Sequence, residues 1–473
     1  MEPSRRDAVA RAEGLLLGAA LLGAVGLSAV LVLGDSDVPW LIRTGQEIVR
    51  TGALPSEDTF AYTTRHAPLH HEYLAEVVLA LVYRAGGVSL LTALQCALLV
   101  AFVGAAALVR PASPGPARPF GGASALGLAG GAMLLRELLT LRAQSMSDVL
   151  TALVFVAVLR DHQGDRRALP ATLPLGLLWA QLHGGNPHHT ALLGLGWLAG
   201  PTRRRMAFTL AAAALTCANP NGPRVHAHYL QGTRALHMIK EWQPLHRVIA
   251  SGNVHAALCV AFALAAGLGL VWRRRRGETV TLEALALGLY ALLAARYARG
   301  VHELTVVATV SLARTLLGVP HPRLAHGAAL AGVLAASLLS SRPWGVGFGG
   351  RYSPAAFAWL DAHRPAGPMF NSYNLGGWLI LLYPQERVFI DSRGPTVYPP
   401  AQMAELVALY RDPRRFEALT ARHGFRLAVL QRDGLGASLV RYLRTHPAWR
   451  LRHDDPRVVI FTRDPGPAPE TPR

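Results

Sequence analysis

Asp35 and Asp37 stand one residue apart in Leu33-Gly34-Asp35-Ser36-Asp37-Val38-Pro39-Trp40, directly after an uncharged apolar run from Gly14 to Gly34. Two carboxylates where a helix leaves a bilayer make a place for a general base or for a divalent cation. Mg²⁺ and Mn²⁺ suit it, because both prefer oxygen ligands. An Asp-x-Asp also arises by chance, and the competing reading is that the pair caps the next helix and marks the membrane edge.

Other chemistry-bearing residues fall at similar exits from apolar runs. His70-His71-Glu72 opens a second helical pattern. His71 there suits an acid/base group, a metal ligand or a phosphate donor, and Glu72 suits substrate contact or a first-turn carboxylate. Arg136, Glu137, Arg142 and Gln144 flank one run end. Ionisable groups at such depth face a water-filled cavity or a partner. Arg142 is the candidate for a lipid phosphate, with Gln144 beside it, whereas Arg136 and Glu137 read as a structural pair. His183 precedes Gly184-Gly185, which permit close backbone approach. Glu241 is a further carboxylate beside Trp242, a residue type common at membrane boundaries.

The elements that position these groups are helices in a membrane. The chain has 473 residues, of which 51% are hydrophobic and only 16% charged, and mean hydropathy is +0.26. Soluble domains carry about 25% charged residues. Net charge is +18, yet the arginines sit in short segments between apolar runs, which excludes a nucleic-acid surface. Lys240 is the only lysine. Cys96, Cys217 and Cys259 all lie within apolar runs and suggest neither a disulfide framework nor a zinc site. Eleven runs of roughly spanning length follow: 14–34, 88–109, 121–139, 146–160, 169–182, 188–200, 206–218, 254–272, 280–297, 301–318 and 324–341.

Alternate connections carry arginine: Arg5, Arg6 and Arg11; Arg110 and Arg118; Arg160, Arg166 and Arg167; Arg203 to Arg205; Arg273 to Arg276; Arg323. The positive-inside rule then puts the N-terminus in the cytoplasm. The loops 34–87 and 219–253 and the tail from 342 fall outside the inner (plasma) membrane. The first outer loop predicts a helix from Trp40 to Val49 and another from Glu72 to Tyr83 that stops at Gly86-Gly87.

The tail reads as a small α/β domain. Strands are predicted at 368–371, 387–391 and 427–431, helices at 353–363, 400–410, 413–423 and 436–445, and a hairpin around Asp454-Asp455-Pro456. Two strand ends would bring Tyr373, Asn374, Asp391 and Arg393 to one rim, a common place for a binding site. The competing reading is a local Asp391–Arg393 ion pair.

Together these segments resemble a bacterial family of polytopic membrane proteins grouped with GT-C glycosyltransferases. The resemblance runs through Gly34-Asp35-Ser36-Asp37 with Trp40 and Thr44-Gly45, Leu54-Pro55, and Asp58-Thr59-Phe60-Ala61-Tyr62-Thr63. It continues through His71-Glu72-Tyr73-Leu74-Ala75-Glu76, Leu182-His183-Gly184-Gly185, Asn219-Pro220-Asn221-Gly222, Glu241-Trp242-Gln243 and Val388-Phe389-Ile390-Asp391-Ser392-Arg393. Asn371-Ser372-Tyr373-Asn374-Leu375-Gly376 is distantly similar to the acceptor-binding motif of oligosaccharyltransferase catalytic subunits. That motif has tryptophans and an aspartate where Asn371, Ser372 and Asn374 stand, so a peptide acceptor is not supported. The family pattern also has two aromatics and a histidine after the second aspartate, where this chain has a single Trp40.

The resemblance implies a mainly α, polytopic transmembrane bundle over 1–341 and an extracytoplasmic α/β domain over 342–473. It implies inverting transfer of a hexose or pentose from a polyprenyl-phosphate donor to an extracytoplasmic glycan, lipid or protein acceptor. Asp37 would be the base or metal ligand, supported by Asp35, with Glu241 as the next carboxylate. Arg142 and His71 would bind the donor phosphate. An inactive envelope scaffold of the same fold and a lipid or glycan transporter are the rivals. A transporter should show internal repeats and midplane charges, and neither is evident.

Overall fold

The computed structural model describes residues 5–65, 69–111, 120–227, 240–320, 322–365 and 367–463. Arg118 and residues 228–239 of the 219–253 loop lie outside them. The chain is mainly helical with one small C-terminal sheet, and it divides into two compact units. The first comprises 1–32, 71–75 and 88–346; the second comprises 33–70, 76–87 and 347–473.

The first unit is a helical bundle. Its elements are α1 (Arg5–Ser28), both ends of α3 (Tyr73–Ala107), α4 (Ser124–Leu138), α5 (Ala143–His162), α6 (Ala168–Leu182), α7 (Pro187–Ala199) and α8 (Arg203–Leu215). Then come the short α9 (Leu245–Ala250), α10 (Val254–Arg275), α11 (Thr281–Arg296), α12 (Val301–Leu316) and α13 (Pro322–Leu339). Each apolar run thus forms a helix, as uninterrupted apolar sequence must where backbone groups cannot reach water. Among the described residues, four helices, α3, α5, α10 and α13, are long and apolar enough to cross a bilayer. Leu268 on α10 is 71% exposed and Leu338 on α13 is 77% exposed, a surface suited to lipid in a multi-pass membrane protein. Central α12 packs along α4, α5, α10 and α11.

Two boundaries differ from expectation. The first run leaves its helix at Ser28, because the following residues become extended. The Val32 amide donates to the Pro343 carbonyl at 3.0 Å, and the Gly345 amide to that of Val30 at 3.1 Å. The predicted stop at Gly86-Gly87 is a break within α3. Gly87 has φ 58° and ψ −148°, a conformation that L side chains avoid.

The second unit holds α2 (Asp37–Thr51), the middle of α3, and the tail. The tail elements are α14 (Pro354–His363), β1 (Met369–Asn371), α15 (Gly376–Leu382), α16 (Pro400–Arg411), α17 (Phe416–His423), β2 (Leu427–Gln431), α18 (Ala437–Thr445), β3 (Trp449–Asp454) and β4 (Val458–Arg463). Sheet order is β1-β2-β4-β3. β1 runs parallel to β2 with Phe370 opposite Ala428, and β4 is antiparallel to both β2 and β3. Phe370, Phe389, Phe416 and Phe425 form the core, with ring centroids 5.0–5.6 Å apart.

The strand expected at 387–391 is not one. That segment makes a single bridge, Val388 to Ala61. It is held beside β1 by the Asn371 amide, which donates to the Ile390 carbonyl at 2.6 Å and accepts from the Phe389 N–H at 2.8 Å. One side-chain amide satisfies backbone groups that a strand ladder would otherwise have to pair.

Candidate active site

In the first unit, a run of polar contacts links groups from five elements. Leu141, just before α5, is buried and left-handed at φ 51°, a conformation costing a branched residue about 1–3 kcal/mol. Arg142 follows it, its Nε donating to the Thr140 hydroxyl at 3.0 Å. Its guanidinium lies 3.6 Å from one Glu241 oxygen, while Arg299 donates to the other at 3.1 Å. Arg299 also reaches the Gln144 side-chain oxygen at 3.3 Å and lies 5.6 Å from the Trp242 ring. Trp242 therefore serves this cluster, edge-on to Tyr297, beyond the boundary role expected of it.

Gln144 carries the network inward. Its amide donates to Asp148 at 3.2 Å and to Glu303 at 3.1 Å. His302 Nδ1 sits 3.1 Å from the second Asp148 oxygen, and His188 Nε2 lies 3.4 Å from Glu303. Burial would raise the Glu241 pKa, but Arg299 and Arg142 outweigh it and hold the carboxyl below the usual range. Glu241 is thus an anion lying between two guanidiniums.

His183 ends α6. Its Nδ1 accepts from the Gly185 N–H at 3.2 Å and lies 2.8 Å from the Ser147 hydroxyl, which itself accepts from Trp179 Nε1 at 2.7 Å. These partners make Nδ1 the acceptor and leave the ring proton on Nε2. His71 and Glu72 sit together at the start of α3, 3.5 Å apart. Arg136 and Glu137 pair with each other, and the buried Arg136 also donates to the Ser28 carbonyl at 2.7 Å.

In the second unit, Asp35 and Asp37 start α2. Asp35 Oδ1 accepts the Asp37 N–H at 2.8 Å, and Asp37 Oδ1 accepts the Trp40 indole N–H at 3.3 Å. The tail presses on this turn. A Cβ on Gly377 would stand 2.2 Å from the Ser36 carbonyl oxygen, and one on Gly376 would stand 2.3 Å from the Ile390 oxygen. Only glycine permits that approach. The Ser392 hydroxyl donates to the same Ser36 carbonyl at 3.2 Å.

Asp391 and Arg393 are buried. Arg393 donates to both Asp391 oxygens at 2.8 and 2.7 Å and to Asp58 at 2.7 and 3.3 Å, and the Tyr398 hydroxyl donates to Asp391 at 2.5 Å. Burial opposes ionisation of Asp391, yet Arg393 and Tyr398 hold its pKa below the ordinary value. Tyr373 donates to the Ser392 carbonyl at 3.1 Å, and both Tyr373 and Asn374 remain partly exposed. Tyr373, Asp391 and Arg393 are neighbours, but through Asn371 and a buried ion network rather than through two parallel strand ends.

Asp148, His188, Arg299, His302 and Glu303, and in the second unit Asp58 and Tyr398, were not singled out in the sequence. Asp148 and Glu303 carried a usable signal, since each is an acid within an apolar run. Among the described residues, no group of three or more His, Cys, Asp or Glu is placed to hold a metal ion.

No protein-family model matches the chain, and no curated protein matches it. Solved structures do. The oligosaccharyltransferase AglB of Archaeoglobus fulgidus, in complex with an inhibitory peptide and a dolichol-phosphate, superposes with TM-score 0.59 at 10% identity, over 90% of this chain and 70% of that one. An Archaeoglobus fulgidus oligosaccharyltransferase complex with Zn and sulfate gives 0.55 at 11%, over 87% and 68%. The arabinofuranosyltransferase AftD from Mycobacteria gives 0.56 at 15%, over 96% of this chain and 40% of that one. The chain shares its fold with these glycosyltransferases at 10–15% identity.

Proposed function

We propose that this chain is a membrane glycosyltransferase that moves a sugar from a polyprenyl-phosphate donor to an extracytoplasmic acceptor. The observation that carries the proposal is the convergence of Arg142 and Arg299 on the single carboxylate of Glu241. Two guanidiniums held on one anion are suited to a phosphate. A GT-C structure with bound dolichol-phosphate supports the class of ligand.

In this reading, an acceptor hydroxyl attacks the anomeric carbon as the bond to the donor phosphate breaks, with inversion. In the second unit, Asp37 is the proposed base or metal ligand, and Asp35 fixes the turn that holds it. In the first unit, Arg142 and Arg299 are the proposed ligands of the polyprenyl phosphate. His71, Glu72, Gln144 and His183 contribute to the donor side, and Tyr373 and Asn374 to the acceptor side. Asp391 and Arg393, already saturated, hold the tail segment in place. In the alternative to Asp37 acting as the base, Asp35 and Asp37 would hold Mg²⁺ or Mn²⁺.

Arg142→Gln and Arg299→Gln are each expected to weaken binding of undecaprenyl phosphate by roughly tenfold or more, read by thermal shift of the purified protein. Glu241→Gln should strengthen it by removing the competing anion. Unchanged binding in all three variants would refute the phosphate assignment. If Glu241→Gln instead stops transfer without tightening binding, Glu241 is the base. A second reading, a scaffold without activity, is favoured by the local engagement of both aspartates. It requires phosphate binding without turnover on any pentose or hexose donor.

We place eleven spans within 1–341, the N-terminus in the cytoplasm, and 342–473 outside the inner membrane with the structured loop 34–87. Supporting this, the arginine-rich connections meet at one end of the first unit. Arg110 and Arg160 share Asp165, Arg204 and Arg205 share Asp161, and Arg273 and Arg314 share Glu283. A reporter fused after Arg276 should read cytoplasmic and one after Arg393 extracytoplasmic. An inward reading at the second position would sink the topology.

A further inference from the structure

The arginine-rich end of the first unit contains a cavity of about 710 Å³ that the proposed reaction does not use. It opens among the ends of α5, α7, α10, α11 and α12, with Arg110, Arg276, Thr279, Arg314 and the carboxylates Glu278 and Glu283 in its wall. The charges around it do not balance. Arg273, buried behind the wall, takes up Glu278 at 2.7 Å and Glu283 at 2.8 Å, and Arg314 shares that same Glu283. Arg110 shares Asp165 with Arg160 at 3.6 Å. Four guanidiniums thus meet three carboxylates before Arg276 is added. Arg276 has no carboxylate partner among the described residues and rests 4.7 Å from the Trp272 ring. Arg273 Nη2 is also buried without a hydrogen-bond partner.

We infer that this cavity seats the phosphate of an anionic glycerophospholipid. Its volume suits a glycerophosphate headgroup, and its excess of guanidinium suits a phosphodiester. The lipid source follows from the adjoining surface. Leu264, Leu268 and Val271 on α10, and Leu285 and Leu292 on α11, are exposed apolar side chains on helices that end or begin at the cavity. Acyl chains can lie there while the headgroup enters the basic wall. Basic pockets between membrane helices take anionic headgroups in this way.

The test uses the full chain in nanodiscs of phosphatidylcholine with and without phosphatidylglycerol. Lipid retention is read by native mass spectrometry and stability by thermal midpoint. The expected result is selective retention of phosphatidylglycerol with a raised midpoint. Arg110→Gln with Arg276→Gln should reduce retention roughly twenty- to thirty-fold, from about one such interaction lost per arginine. Thr279→Phe, which fills the cavity from an exposed position without touching charge, should do the same. Arg414→Gln with Arg415→Gln in the tail should change nothing. Undiminished retention in both cavity variants, or equal retention of phosphatidylcholine, would overturn the site. Equal protection by inorganic phosphate alone would overturn the lipid as its source.

Discussion

Asp37→Asn is expected to lower sugar transfer by roughly 100- to 10,000-fold, the usual contribution of a general base. The variant should remain folded and inserted, because an asparagine side-chain oxygen can still accept the Trp40 indole N–H that Asp37 Oδ1 accepts. Asp35→Asn should cost less, since its structural task, accepting the Asp37 N–H, survives in an amide. Transfer from polyprenyl-phosphate pentose and hexose donors, measured beside thermal unfolding of each variant, separates lost chemistry from lost fold. An Asp37→Asn protein that transfers at the unmutated rate would remove Asp37 as the base and make Glu241 the next candidate.

Arg393→Met is expected to destabilise the second unit by about 3–5 kcal/mol, because it strands two buried carboxylates, Asp391 and Asp58, without their shared cation. The measurement is the unfolding midpoint, with acceptor dependence as the control. A normal midpoint with a raised acceptor requirement would instead make Arg393 an acceptor-binding residue. Acid should act in the same direction as the mutation. The Asp391 pKa is lowered in the fold, so its stabilisation is complete above its unfolded value near ~4 and is lost as pH falls below that.

The order of elements was legible in the sequence because it depends on local pattern. Each apolar run became a helix, and short apolar segments bounded by turn residues located β2 and the closing hairpin. The acidic pair was legible too, since two aspartates at a run's end stand out against uncharged neighbours. The partners of these residues were not. Nothing in the spacing of Asp58 and Asp391 says that Arg393 joins them across more than 300 residues. Nor does it say that Asn371 would take the place of a strand ladder, or that Gly377 would let a helix start touch Ser36. The same holds for Arg142, Glu241 and Arg299, which come from three separate segments. Hydropathy and turn chemistry act over a few residues and so can be read in order along the chain. Buried ions must find counter-charges wherever packing brings them, and only the tertiary structure decides which ones meet.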